Sequence, residues 1–297
     1  MKNLISLKAL SFAAIGLAVL VPLAAHAETN GAEIAAAGQA YLRSSNENRA
    51  TAAQALRRAL AGDSEAPAAI KAEANFLLAD FALRDGKKDL ALKQANQGLK
   101  LLEGREPTFA PEVRALGARV KTQALLAKQD RLEAFTLILN ARLAYGAPKI
   151  GPDGAWDRVW DTLYLWQQIA MADLREGDRA KATALLATRA AEVGQISQTN
   201  SQCSLQHEPV RVVNWQSNRP NYPIVPHFAD QTGGVLLRLS VDSQGRVTTA
   251  EPTAFSPSED FAIMTERVAK NWIVQGRGLD KPACAVGRPS FAIFQLF

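Results

Sequence analysis

The sequence predicts an α+β protein: helical hairpins over the first two thirds, then a small β-β-α-β unit at the C-terminus. Three observations carry this. From residue 31 to about 197, apolar residues recur at three- and four-residue spacing. At Asn218 the composition changes to prolines and then glycines, in "NRPNYPIVPHFADQTGG". From Val235, apolar and polar residues alternate. The 297 residues allow roughly two domains, and the 47% apolar fraction is enough for packed cores.

The first element is a leader. Lys2 and Lys8 precede and enter an apolar run from Ala9 to Ala25, and Ala25-His26-Ala27 places small residues where signal peptidase reads them. Cleavage is expected between Ala27 and Glu28. The competing reading is an uncleaved anchor, but a run of about 17 residues interrupted by Pro22 is short for a span. The mature chain is then expected in an oxidising compartment, the periplasm. The formal charge is +5, and without Lys2 and Lys8 the remainder carries about +3. That mild charge, with no basic block, gives no reason to expect a nucleic-acid partner.

Residues 28–197 are expected to be helical. Leu92, Ala95, Leu99 and Leu102 share one helical face. So do Val113, Leu116, Val120, Ala124 and Ala127, and again Val159, Leu163, Trp166, Ala170 and Leu174. Each stripe needs an apolar partner, so the helices must pack on one another. The links "RDGKKD" and "REGDRA" are short and contain Gly86 and Gly177, which predicts antiparallel hairpins. Ala91 and Ala182 each follow their glycine by five residues. A third candidate has Ala134 after the turn "KQD", without glycine. This spacing resembles a degenerate tetratricopeptide array, whose regular period would be 34 residues. Trp156, Trp160 and Trp166 read as core, with a ligand platform as the alternative. The loop 144–156 reads as a connector or a binding loop.

Cys203 and Cys284 are the only cysteines. In an exported chain they are expected to pair, closing a loop of about 80 residues worth roughly 4 kcal/mol. The rival is a metal site using His207, but Cys-x3-His alone does not complete a tetrahedral set. Residues 198–219 read as a linker into the last domain, 220–297.

In that domain Val235, Leu237, Leu239 and Val241 point one way, while Arg238, Ser240 and Asp242 point the other, a half-buried strand with Leu236 as the exception. "DSQG" is a turn and "RVTTAEP" a returning strand. Ser258 is placed to cap a helix opening with Glu259 and Asp260, with Phe261, Met264, Val268 and Trp272 on its apolar face. "SFAIFQLF" closes the chain as a strand.

The ordered set Pro220-x-Tyr222-Pro223, Gly234-Val235, Gly245-x-Val247, Ser256, Phe261 and Trp272 resembles the TonB C-terminal domain, over about 80 residues. The resemblance implies docking of an extended peptide from an outer-membrane transporter, or another envelope protein, on a sheet edge. It marks Tyr222, Pro223 and the strand Ser290, Phe291, Ala292, Ile293, Phe294, Gln295, Leu296 and Phe297 as partner-binding; Tyr222-Pro223 otherwise serves to guide the chain into the first strand. Edge strands suit that role because their N–H and C=O groups are unpaired. The energised members it resembles have an anchor bearing a Ser and a His, then a proline-rich spacer. Here His26 sits at the cleavage site and helices replace the spacer. The expectation is a domain that docks without engaging the inner-membrane motor, or that works beside another transducer. "IVQGRG" after Trp272 and the loop 278–289 depart from the family pattern.

An enzyme is not expected. His207 and His227 fall in no catalytic or metal motif, and no nucleophile elbow, zinc-protease or phosphate-loop motif occurs. His227 beside Tyr222 reads as a structural or surface histidine before a ligand contact. No cofactor, metal or small-molecule substrate is implied. The expected function is protein–protein contact in envelope transport; the alternative is a non-energised periplasmic scaffold.

Overall fold

The computed structural model describes residues 31–45, 47–104, 111–148, 156–196, 203, 205–221, 233–256 and 258–294. Ala27 and Glu28, Tyr222 and Pro223, His227, most of the 144–156 loop, and Gln295, Leu296 and Phe297 lie outside the described residues. Helices come first: α1 (Ala32–Arg43), α2 (Arg49–Gly62), α3 (Ala68–Arg84), α4 (Lys88–Leu102), α5 (Pro111–Ala127), α6 (Arg131–Tyr145), α7 (Arg158–Asp173), α8 (Glu176–Thr188) and α9 (Ala190–Ile196). The C-terminal part holds β1 (Arg211–Val212), β2 (Gly233–Val241), β3 (Val247–Ser256), α10 (Glu259–Ala269), β4 (Val274–Gln275) and β5 (Arg288–Phe294). The class is α+β, as the sequence predicts. No described helix is long and apolar enough to cross a membrane.

Two hairpins, α3/α4 and α5/α6, turn in the same way. After α3, the Lys87 N–H donates to the Ala82 carbonyl (2.8 Å) and the Gly86 N–H to Leu83 (3.1 Å). After α5, the Asp130 N–H donates to Leu125 (2.9 Å) and the Gln129 N–H to Leu126 (2.9 Å). Both are helix-ending turns that need one left-handed residue. Gly86 (φ 71°) supplies it in the first and Gln129 (φ 68°) in the second. "KQD" therefore builds the turn of "RDG" without glycine, at a cost of about 1 kcal/mol. Five residues on, Ala91 and Ala134 are fully buried and let the second helix approach the first.

The hairpin expected at Gly177 does not form. Gly177 lies inside α8, only Leu174 and Arg175 separate α7 from α8, and α8 packs chiefly against α6. The reason is that α7 has no face left for it. Val159, Leu163, Trp166 and Ala170 are buried as predicted, but so are Asp161, Leu165 and Ile169 one stripe further round. A helix apolar on all sides is enclosed on all sides. One side of α7 meets α5 and α6, the other the C-terminal sheet. Trp160 and Trp166 are core residues.

That sheet is antiparallel, in the order β3-β2-β5, with β2 in the centre. Val235, Leu237, Leu239 and Val241 face the core shared with Phe261 of α10, as expected. The opposite face does not meet solvent. Leu236, Ala254, Phe291 and Ile293 join the core around α7. So β2 is buried on both faces, and the sheet is sandwiched between α7 and α10. Gly234 marks the close approach: a Cβ there would lie 3.0 Å from a Leu165 methyl and 3.2 Å from Ile169.

Three further details differ from expectation. Helix α10 ends at Ala269, so Trp272 lies beyond it; it is buried beside Trp215 (ring centroids 5.6 Å apart) and its Nε1 donates to the Asn218 carbonyl (2.8 Å). Ser258 holds the N-cap position, but its side chain bonds no helix N–H. The described part of the segment expected as a linker is structural, with β1 paired to β4, while Cys203 is bonded to Cys284 as expected, with Cα atoms 5.2 Å apart.

Candidate docking edge and the seam behind it

Strand β5 brings Ser290, Phe291, Ala292, Ile293 and Phe294 together on one border of the sheet. Its register against β2 sets which backbone groups are used. Pro289 pairs with Arg238 but has no N–H, and its carbonyl accepts from the Val210 N–H on the outer side (2.9 Å). Antiparallel strands alternate, so Phe291 and Ile293, two and four residues on, also direct N–H and C=O away from β2. Among the described residues no strand pairs with that outer side beyond Pro289.

Elsewhere the borders are closed. Val247 donates to the Trp272 carbonyl (3.2 Å), Val274 to Gly245 (2.8 Å), and Arg246 bridges Ile273. Strand β4 pairs antiparallel with β1, and Val210 just before β1 reaches Pro289. One end of the sheet is thus ringed by β3, β4, β1 and β5. The rest of β3 carries exposed Glu251, Pro252 and a register shift near Leu236/Leu237, all features that discourage strand addition. Among the described residues, the border without a strand partner is β5 at Phe291 and Ile293, whose half-buried side chains turn toward α7, while Phe294 turns toward α10.

Behind this border lies a buried polar seam. Arg238, 3% exposed, donates from Nε to Asp161 (3.1 Å), pairs through Nη2 with the other Asp161 oxygen, and donates from Nη1 to the Gly287 carbonyl (3.1 Å). Asp161 is wholly buried on the sheet-facing stripe of α7. The guanidinium lies 4.4 Å from the Trp156 ring centroid, and its Nη2 is 3.3 Å from His207 Nδ1. Trp156 fits because Gly287 (φ 68°) has no side chain; a Cβ there would stand 1.9 Å from the indole. Burial, then the Arg238 and Arg142 charges, push the His207 imidazole down to about 3, so it is neutral near pH 7. The metal alternative fails on geometry, since Cys203 is in the disulfide and His207 faces Arg238.

A second guanidinium, Arg142 of α6, is 2% exposed in the same seam. It lies over the Tyr164 ring (4.4 Å) and the Trp160 ring (5.3 Å). Such contacts contribute about 0.5–2 kcal/mol, less than the several kcal/mol that burying a charge costs. Sequence reading missed Asp161, Arg142 and the buried role of Arg238. Their signal was present: each charge sits among apolar neighbours, Arg238 in "VLLRLSV" most clearly.

No family model, curated protein or solved structure matches this chain.

Proposed function

We propose that this chain is a periplasmic docking protein: a degenerate tetratricopeptide-like array carrying a TonB-type C-terminal unit that takes an extended peptide of an envelope protein, an outer-membrane transporter by the resemblance, onto β5. The observation that supports the reading is the outer side of β5 at Phe291 and Ile293, which no strand covers among the described residues, beside borders that are closed or blunted. Main-chain hydrogen bonds would give affinity, and alternate side chains would give selectivity.

A photo-crosslinker at Ile293 in intact cells should capture a small set of outer-membrane proteins. Ile293→Pro should abolish the capture obtained from a crosslinker at Phe291, because it removes an outward donor that β2 does not use; Pro289 already occupies such a position within the folded strand. Unchanged capture by a folded Ile293→Pro protein rejects the edge.

One feature favours a second reading, a non-energised adaptor. The sheet is fused to α7 across the Arg238–Asp161 pair, so the docking unit does not hang on a spacer. Capture of soluble periplasmic proteins alone, from a chain that begins at Glu28, would select the adaptor.

A further inference from the structure

Among the described residues, four buried nitrogens in the seam have no hydrogen-bond acceptor: Arg142 Nε and Nη1, Trp160 Nε1 and His207 Nε2. Their side chains share one neighbour. Arg142 lies over the Trp160 ring, and the His207 ring is 4.8 Å from it, centroid to centroid. The histidine's role follows from its other nitrogen: Nδ1 meets a guanidinium N–H and must accept, so Nε2 carries the proton. All four orphans are therefore donors.

The charge is also unbalanced. Asp161 matches Arg238, while Arg142 forms no ion pair among the described residues and is 2% exposed. A guanidinium does not shed its proton in a protein. Buried charges are otherwise paired. A water molecule would accept hydrogen bonds but would leave the Arg142 charge unmatched. A bare anion accepts from every direction and supplies the missing charge.

We infer that the seam between α6, α7 and the His207 loop binds one small monovalent anion, of chloride size, held by Arg142, Trp160 Nε1 and His207 Nε2. Its donors come from the helical part and from the loop that the Cys203–Cys284 bridge ties to the C-terminal part, so the ion joins the two. This site is separate from the β5 edge and does not depend on peptide docking.

Crystals of the full mature chain grown in bromide, measured at the bromine absorption edge, test it directly. An anomalous peak within hydrogen-bond reach of Arg142 and Trp160 Nε1 is expected. Bromide at surface positions only, or a seam without an anomalous peak, overturns the inference. In parallel, the protein should melt about 2–5 °C higher in chloride than in gluconate at equal ionic strength. Arg142→Met should melt equally in both. A wild-type melting point that ignores the anion, or an Arg142→Met protein that keeps the chloride shift, rejects the site.

Discussion

Two buried titratable residues act in opposite directions on stability. Glu73 of α3 sits against Ile34 and Gly38 of α1, and burial pushes its carboxyl up to about 7. Its protonated form suits the fold, so its contribution is full below pH 4.5 and is lost as pH rises toward 7. His207 is pushed down to about 3, so its contribution is full above pH 6.5 and is lost as pH falls toward 3. Each slope is about 1.4 kcal/mol per pH unit, and between pH 4.5 and 6.5 they oppose. Urea titrations in halide-free buffer should find wild-type stability nearly flat across that window. Glu73→Gln should leave stability rising with pH, and His207→Gln should leave it falling; parallel curves for all three would contradict the assignment. Glu73 was not legible as special in the sequence, and His207 stood out only as a rival metal ligand beside Cys203. Periodicity tells which face a residue occupies, but not that a second helix covers the face.

Turns and strand borders were partly legible at the scale of elements. The hairpin at Gly86 was readable because glycine advertises a left-handed position, whereas Gln129 hides the same geometry. Gln129→Gly should therefore raise unfolding free energy by about 0.5–1 kcal/mol, measured by chemical denaturation. A loss of stability would mean the glutamine side chain makes a compensating contact. Gly177 misled in the other direction: glycine tolerates the first turn of α8 as easily as a link. The end of α10 was misread because Trp272 continues the helical spacing past Ala269 while packing on Trp215 instead. The sheet order and register, which decide where β5 is open, come from pairings across as many as 61 positions, such as Gly233 with Phe294, and no local pattern encodes them.

The whole molecule is joined by its second sheet face. Leu236, Ala254, Phe291 and Ile293 share a core with α7, and the Arg238–Asp161 pair sits inside it. Asp161→Asn should cost about 3–5 kcal/mol, since it leaves Arg238 buried beside Arg142 without a carboxylate. Asp161→Leu combined with Arg238→Met should recover most of that loss, because two matched apolar groups replace a matched ion pair. Denaturation of the single and double variants checks both; a double variant as weak as Asp161→Asn would show that shape at the seam matters more than charge. The α+β class and the β-β-α-β order were legible in the sequence, but the sandwich was not. The polar positions of β2 read as solvent-facing because their cover comes from a helix whose Asp161 lies 77 residues before Arg238, and the apolar flanks of Arg238 are a weak local sign of it.

The bond from Val210 to Pro289 has a mechanical consequence. A chain docked along β5 as proposed would be kept from sliding toward the start of that strand, because it would run into a stop. Its alignment would be set by collision as well as by side-chain fit. A tug on it toward Pro289 would meet firm resistance.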